Sequence, residues 1–121
     1  MTEKIFKLLT NMVLRFRSTD SDIFEAIESG KKKVETRAAT SKYKNVKLGD
    51  VLKFVCGEKS FEKKVAKTTV FKSIGALLRK YKPEEINPKI KTKKGLENMC
   101  YGFPGYREKI KKYGIVAFEL I

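Results

Sequence analysis

The sequence predicts an α+β fold, a small mixed or closed antiparallel sheet with short helices at its ends. Segments with strand character, alternating apolar and polar residues or rich in Val, Thr and aromatics, recur between residues 11 and 121 without regular strand–helix alternation. With 121 residues, 41% hydrophobic and 11% aromatic, the chain can fill one core but not two. It reads as a single domain over 1–121, with its core in about 11–121. There is no repeat, linker or low-complexity tract.

Each element has a local reason. In Asn11 to Arg17, Met12, Leu14 and Phe16 alternate with Val13, Arg15 and Arg17, the pattern of a strand with one buried face. Ser18-Thr19-Asp20 supplies capping candidates for a helix whose Ile23, Phe24, Ala26 and Ile27 recur at helical spacing until Gly30 stops it. Lys33 to Ala38 is extended, and Ala39 to Lys47 reads as a polar loop. Leu48-Gly49-Asp50 turns into a strand over Val51 to Cys56. Gly57-Glu58-Lys59-Ser60 reads as a hairpin connection, with Phe61 to Phe71 returning. Ser73 caps a helix over Ile74, Leu77, Leu78 and Tyr81 that Pro83 ends. Further helices are expected near Lys94 to Tyr101 and from Tyr106 to Lys112, divided by Pro104-Gly105. Ile115 to Ile121 is the closing strand.

The charge is uneven. The formal net charge is +14, but residues 1–29 carry −1, residues 30–50 carry +5, 51–90 carry +6 and 91–121 carry +4. A field of that sign attracts polyanions, so RNA or a nucleotide is the leading partner and an anionic membrane surface a weaker one. Lysine-rich composition that merely keeps a protein soluble gives the same total, since only five of the 28 cations are arginine. No apolar run approaches the roughly 20 residues of a membrane-spanning helix. Lys4 and Lys7 interrupt the apolar residues near the N-terminus, which does not read as a signal peptide. A cytoplasmic location is expected.

Cys56 and Cys100 lack metal-type spacing and read as reduced thiols, so neither a metal nor another cofactor is expected. With no histidine in the chain, acid–base or ligand chemistry falls to lysine, carboxylate, hydroxyl, phenol or thiol groups. These concentrate in Gly30-Lys31-Lys32-Lys33-Val34-Glu35-Thr36-Arg37. On a strand, Lys33, Glu35 and Arg37 share a face, and Gly30 lets a phosphate or base approach the backbone. A solvated strand face has the same pattern. Lys42, Tyr43 and Lys44 set an aromatic among cations, suited to stacking a base while gripping phosphates, or to a plain loop. Tyr101, Phe103 and Tyr106 offer a second stacking surface or pack the helix ends.

Together with the downstream Leu48-Gly49-Asp50-Val51-Leu52-Lys53-Phe54, the stretch resembles the ASCH domain family, which carries a Gly-x-Lys-x-x-Glu-x-Arg signature after its first helix. Gly30, Lys32, Glu35 and Arg37 fill the four positions. Gly102 to Tyr106 and Tyr113 to Phe118 resemble the family's helical section and closing strand, so the resemblance runs from about residue 11 to the end. It implies a PUA-like mixed or antiparallel β-barrel with several short flanking helices. It also implies an RNA- or nucleotide-binding cleft holding the signature residues Gly30, Lys32, Glu35 and Arg37, and the neighbouring Lys31, Lys33, Lys42, Tyr43 and Lys44 are expected to extend the contact. If the protein is an enzyme, the resemblance makes it a small hydrolase, an amidohydrolase on a modified nucleoside or a ribonuclease, with Lys32 and Glu35 catalytic. The amidohydrolase branch places a threonine nucleophile where this chain has Glu35, and its distant acid would fall near Glu84 or Glu85.

Overall fold

The computed structural model describes residues 11–121; the expectation for the lysine-interrupted N-terminus lies outside them. Five strands, β1 (Asn11–Phe16), β2 (Val34–Ala38), β3 (Val51–Cys56), β4 (Lys59–Phe71) and β5 (Ile115–Leu120), form one sheet in the order β1-β3-β4-β5-β2. The β1–β3 pair is parallel and the other pairs are antiparallel. The sheet curls into a half-barrel because the 13-residue β4 serves both halves, pairing first with β3 and then with β5. A register shift between Val65 and Lys67 marks the bend, as a bulge does in a strand that must turn a corner. Six helices flank the sheet: α1 (Ser21–Ser29), α2 (Ser41–Lys44), α3 (Ile74–Leu77), α4 (Pro83–Ile86), α5 (Lys93–Tyr101) and α6 (Tyr106–Tyr113). This is the α+β, PUA-like arrangement the sequence leads one to expect, with the barrel left open between its edge strands β1 and β2.

The apolar run of β5 has a direct structural cause. Val116, Phe118 and Leu120 enter the core that packs under α1 with Leu14, Phe24, Ile27, Leu52 and Phe54. Ile115 and Ala117 face the opposite way, into a second core with Ile74, Leu77, Ile86, Leu96 and Ile110 from the helical layer. A strand buried on both faces has no polar alternation to show. Phe54 and Phe61, opposite each other on β3 and β4, stack at 5.1 Å and tie the first core to the hairpin.

Several local boundaries differ from the sequence reading. The hairpin turn is only Gly57-Glu58, because Gly57 takes a positive φ of 61° and lets Lys59 pair at once with Cys56. Residues expected as loop contain the single turn α2, in which the Thr40 carbonyl accepts from the Tyr43 and Lys44 amides. The helix expected to reach Tyr81 is reduced to one turn. Ser73 caps it as anticipated, accepting from the Ala76 amide at 3.1 Å. Lys82 is then extended, as a residue before proline prefers, and Pro83 opens α4 where it was expected only to end a helix.

Gly114, between α6 and β5, has φ 85° and ψ −167°, and a Cβ there would press into the Phe71 carbonyl oxygen. Gly30 also has a positive φ, 84°, but open space around it. Gly114→Ala should therefore cost about 3 kcal/mol and Gly30→Ala about 1 kcal/mol. Urea denaturation of the two variants measures the difference; equal losses would mean that the Phe71 contact does not matter.

Candidate functional site

The site begins where α1 ends. Gly30 closes the helix in the left-handed conformation, and the Lys32 amide then donates back to the Ala26 carbonyl at 2.9 Å. This doubling back sends the Lys32 side chain inward, where it is 2% exposed, while Lys31 and Lys33 stay in solvent. Lys33 lies before β2 rather than on it. The expected triplet of Lys33, Glu35 and Arg37 on one strand face is thus replaced by Lys32, Glu35 and Arg37.

Glu35 is the hub. Its Oε1 accepts from Lys32 Nζ at 3.1 Å and from the Thr36 amide at 3.2 Å, and its Oε2 accepts from Arg37 Nη2 at 3.0 Å. Lys32 also donates to the Val34 carbonyl. The Arg37 guanidinium lies 5.7 Å from the Phe16 ring and 5.8 Å from the Tyr43 ring, within cation–π range of both. One carboxylate therefore serves a buried ammonium and a half-buried guanidinium.

Burial alone would raise the Glu35 carboxyl, but Lys32 and Arg37 together outweigh it and hold the group below the usual carboxylate range. Burial lowers the Lys32 ammonium, with Arg37 adding to the effect and Glu35 opposing it. The two shifts act against each other within one ion pair. Glu35 is ionised, because Arg37 remains a permanent cation beside it. The Arg37 guanidinium is raised: burial works against its charge, and Glu35 overcomes that. Burial, with Glu35 next, pushes the Cys100 thiol up to about 11, so it stays protonated near neutrality and is a poor nucleophile.

The cluster lines a cleft of about 680 Å³. The edge strands supply Arg15 and Phe16 from β1 and Glu35, Thr36 and Arg37 from β2; Lys32 and Cys100 are deeper, and Asn98, Phe103 and Tyr106 come from the helical side. Phe103 is 38% exposed, and its ring centroid lies 5.2 Å from that of Tyr106. The aromatic group expected to stack or pack is thus divided: Phe103 and Tyr106 reach the cleft, while Tyr101 lies under Arg107 at 4.2 Å.

Of the predicted site residues, Lys32, Glu35 and Arg37 come together at the cleft and Tyr43 joins them through Arg37. Gly30 shapes the turn without lining the cleft. Lys31 borders a separate groove with Asp22 and Glu25, and Lys33, Lys42 and Lys44 are exposed outside the cleft lining. Glu84 and Glu85 are not in that lining, and Glu85 instead accepts from the Lys82 amide at 2.9 Å. The sequence reading missed Arg15, Arg17, Asn98 and Cys100. Three of the five arginines, Arg15, Arg17 and Arg37, line this one cleft, a grouping that the sequence does not show because it joins residues of two separate segments. Among the described residues no group of three or more Cys, Asp or Glu side chains is arranged to hold a metal. Nor is any described helix long and apolar enough to cross a membrane.

Fold and site together define a PUA-like α+β protein with a buried Lys–Glu–Arg cluster opening onto a basic and aromatic cleft. Protein PF0455 from Pyrococcus furiosus, solved by NMR in solution, is 31% identical, with a TM-score of 0.69 over 91% of this chain and 93% of that one. The chain belongs to the same family as PF0455. The crystal structure of hypothetical protein PH0355 is 29% identical, with a TM-score of 0.76 over 92% of this chain and 97% of that one. No protein-family model and no curated protein matches the chain.

Glu35→Gln keeps the shape but leaves the buried Lys32 and the half-buried Arg37 without a counter-charge, and should destabilise the fold by about 3 kcal/mol near neutral pH. Because the folded-state carboxyl is depressed, its stabilising contribution is complete above the unfolded value of about 4.3 and is lost as pH falls through the lower folded value. Denaturant titrations from pH 7 to pH 2 should give a flatter profile for the variant over that acidic window. Parallel profiles would contradict an ionised, paired Glu35.

Proposed function

We propose that this is an RNA- or nucleotide-binding protein of the ASCH type, and that its ligand occupies the cleft over Lys32, Glu35 and Arg37. The observation that carries the reading is the imbalance of charge at the edge of an open cleft, a buried Lys32 and a half-buried Arg37 against one buried carboxylate. Burying such a cluster is expensive, and an apolar replacement of similar volume often stabilises a protein as well or better. A ligand anion supplies what the cluster lacks. Phe103 and Tyr106 beside it offer faces for a base. Glu35, with three hydrogen bonds already accepted, positions the two cations. Gly30, Lys32, Glu35 and Arg37 fill the family signature in full, which supports the ASCH assignment.

A hydrolase is the second reading, favoured by one observation: Lys32 Nζ and Glu35 Oε1, 3.1 Å apart at the cleft, pair a proton donor with an acceptor, and burial lowers the Lys32 ammonium. Incubation with acetylated cytidine and with labelled RNA tests it. Turnover that Lys32→Met abolishes would establish the enzyme; absence of turnover on both substrates would remove it.

For binding, fluorescence anisotropy with single-stranded RNA at two salt concentrations separates cleft from surface. Lys32→Ala should weaken binding by about tenfold or more, against about twofold for Lys64→Ala, an exposed residue of β4 outside the cleft lining. Equal losses would mean that the RNA merely coats a basic surface.

A further inference from the structure

The cleft lining contains Arg15, Arg17, Lys32 and Arg37 against Asp20 and Glu35, a formal charge of +2. A phosphomonoester carries about −1.5 to −2 at neutral pH, whereas an internal phosphodiester carries about −1. Arginine's planar fork suits phosphate better than a lysine point charge does, and this otherwise lysine-dominated chain sets arginines on both free edges of the half-barrel. Their availability differs. Glu35 occupies one Arg37 nitrogen, and Arg17 Nε is tied to Asp20 at 3.1 Å. Arg15, exposed on β1, has no carboxylate partner among the described residues.

We infer that Arg15 and Arg37, which line the cleft from the two edge strands, seat a phosphomonoester, with the base against Phe103 and Tyr106 and the Arg17–Asp20 pair at the same cleft. This rests on the cleft reading above and narrows its ligand to a free nucleoside monophosphate or the phosphorylated end of an RNA strand. Neither Arg15, Arg17 nor Asp20 belongs to the Gly30–Arg37 signature.

The test is calorimetric titration of the full chain with the four nucleosides, their 5′-monophosphates, inorganic phosphate, and a short RNA with and without a 5′-phosphate. At least one monophosphate should bind about tenfold or more tightly than its nucleoside, and Arg15→Gln should erase most of that difference while leaving nucleoside binding unchanged. Phe103→Ala should weaken nucleoside and nucleotide alike. Asp20→Asn, by removing one negative charge from the cleft lining, should tighten monophosphate binding by about two- to fivefold at low salt. Asp20 accepts no helix-capping bond through its side chain, and thermal melts verify that each variant folds. A mononucleotide that binds alone favours the free ligand; an RNA that gains affinity only with its 5′-phosphate favours the strand end. Nucleosides binding as tightly as monophosphates, or an Arg15→Gln or Asp20→Asn variant indistinguishable from the parent, overturn this inference. RNA binding that needs Lys32 but ignores the terminal phosphate overturns it and leaves the cleft reading standing. Failure of every nucleotide and RNA to bind removes both.

Discussion

The Glu35 carboxylate, shared between Lys32 and Arg37, is the interaction on which the rest of the site depends. Lys32 reaches it because Gly30 reverses the chain at the end of α1, and Arg37 reaches it from two residues further along β2. The guanidinium then approaches Phe16, which links the open edges of the half-barrel. Without the carboxylate, two cations would face each other in a largely desolvated space, and the turn, the edge strand and the cleft would lose their common anchor.

The surrounding fold keeps this arrangement in place. β5 lies between β4 and β2 and is buried on both faces, so β2 is held against a strand that itself belongs to both cores. The helical layer adds the other wall, where Gly105, at φ 73°, leads into α6 and Phe103 is presented toward solvent. A sheet edge carrying charge, opposed by an aromatic helix connection, is the physical basis of the proposed binding of a ligand with both an anionic and a planar part.

Much of this was legible in the sequence. Alternation in Met12, Leu14 and Phe16, the helical spacing of Phe24 and Ile27, and the stop at Gly30 all follow short-range rules, and the structure keeps them. The single turns α2 and α4 were harder to read, because four residues give no periodicity and their formation depends on tertiary packing and proline geometry. At the site, Lys32, Glu35 and Arg37 were found in sequence, but strand alternation assigned Lys33 to the face that Lys32 fills. That rule fails one residue before β2 begins, where the bond from the Lys32 amide to Ala26 sets the direction of the chain. Arg15 and Arg17 were missed because they enter the cleft only through the long-range curl that brings β1 toward β2.

The measurement that bears most directly on the central claim is side-chain NMR of the lysine ammonium and arginine guanidinium groups during titration with a nucleoside monophosphate. The account predicts saturable shifts concentrated at Lys32 and Arg37, with the exposed lysines little changed. Shifts spread over the lysine surface, with Lys32 and Arg37 unmoved, would contradict it.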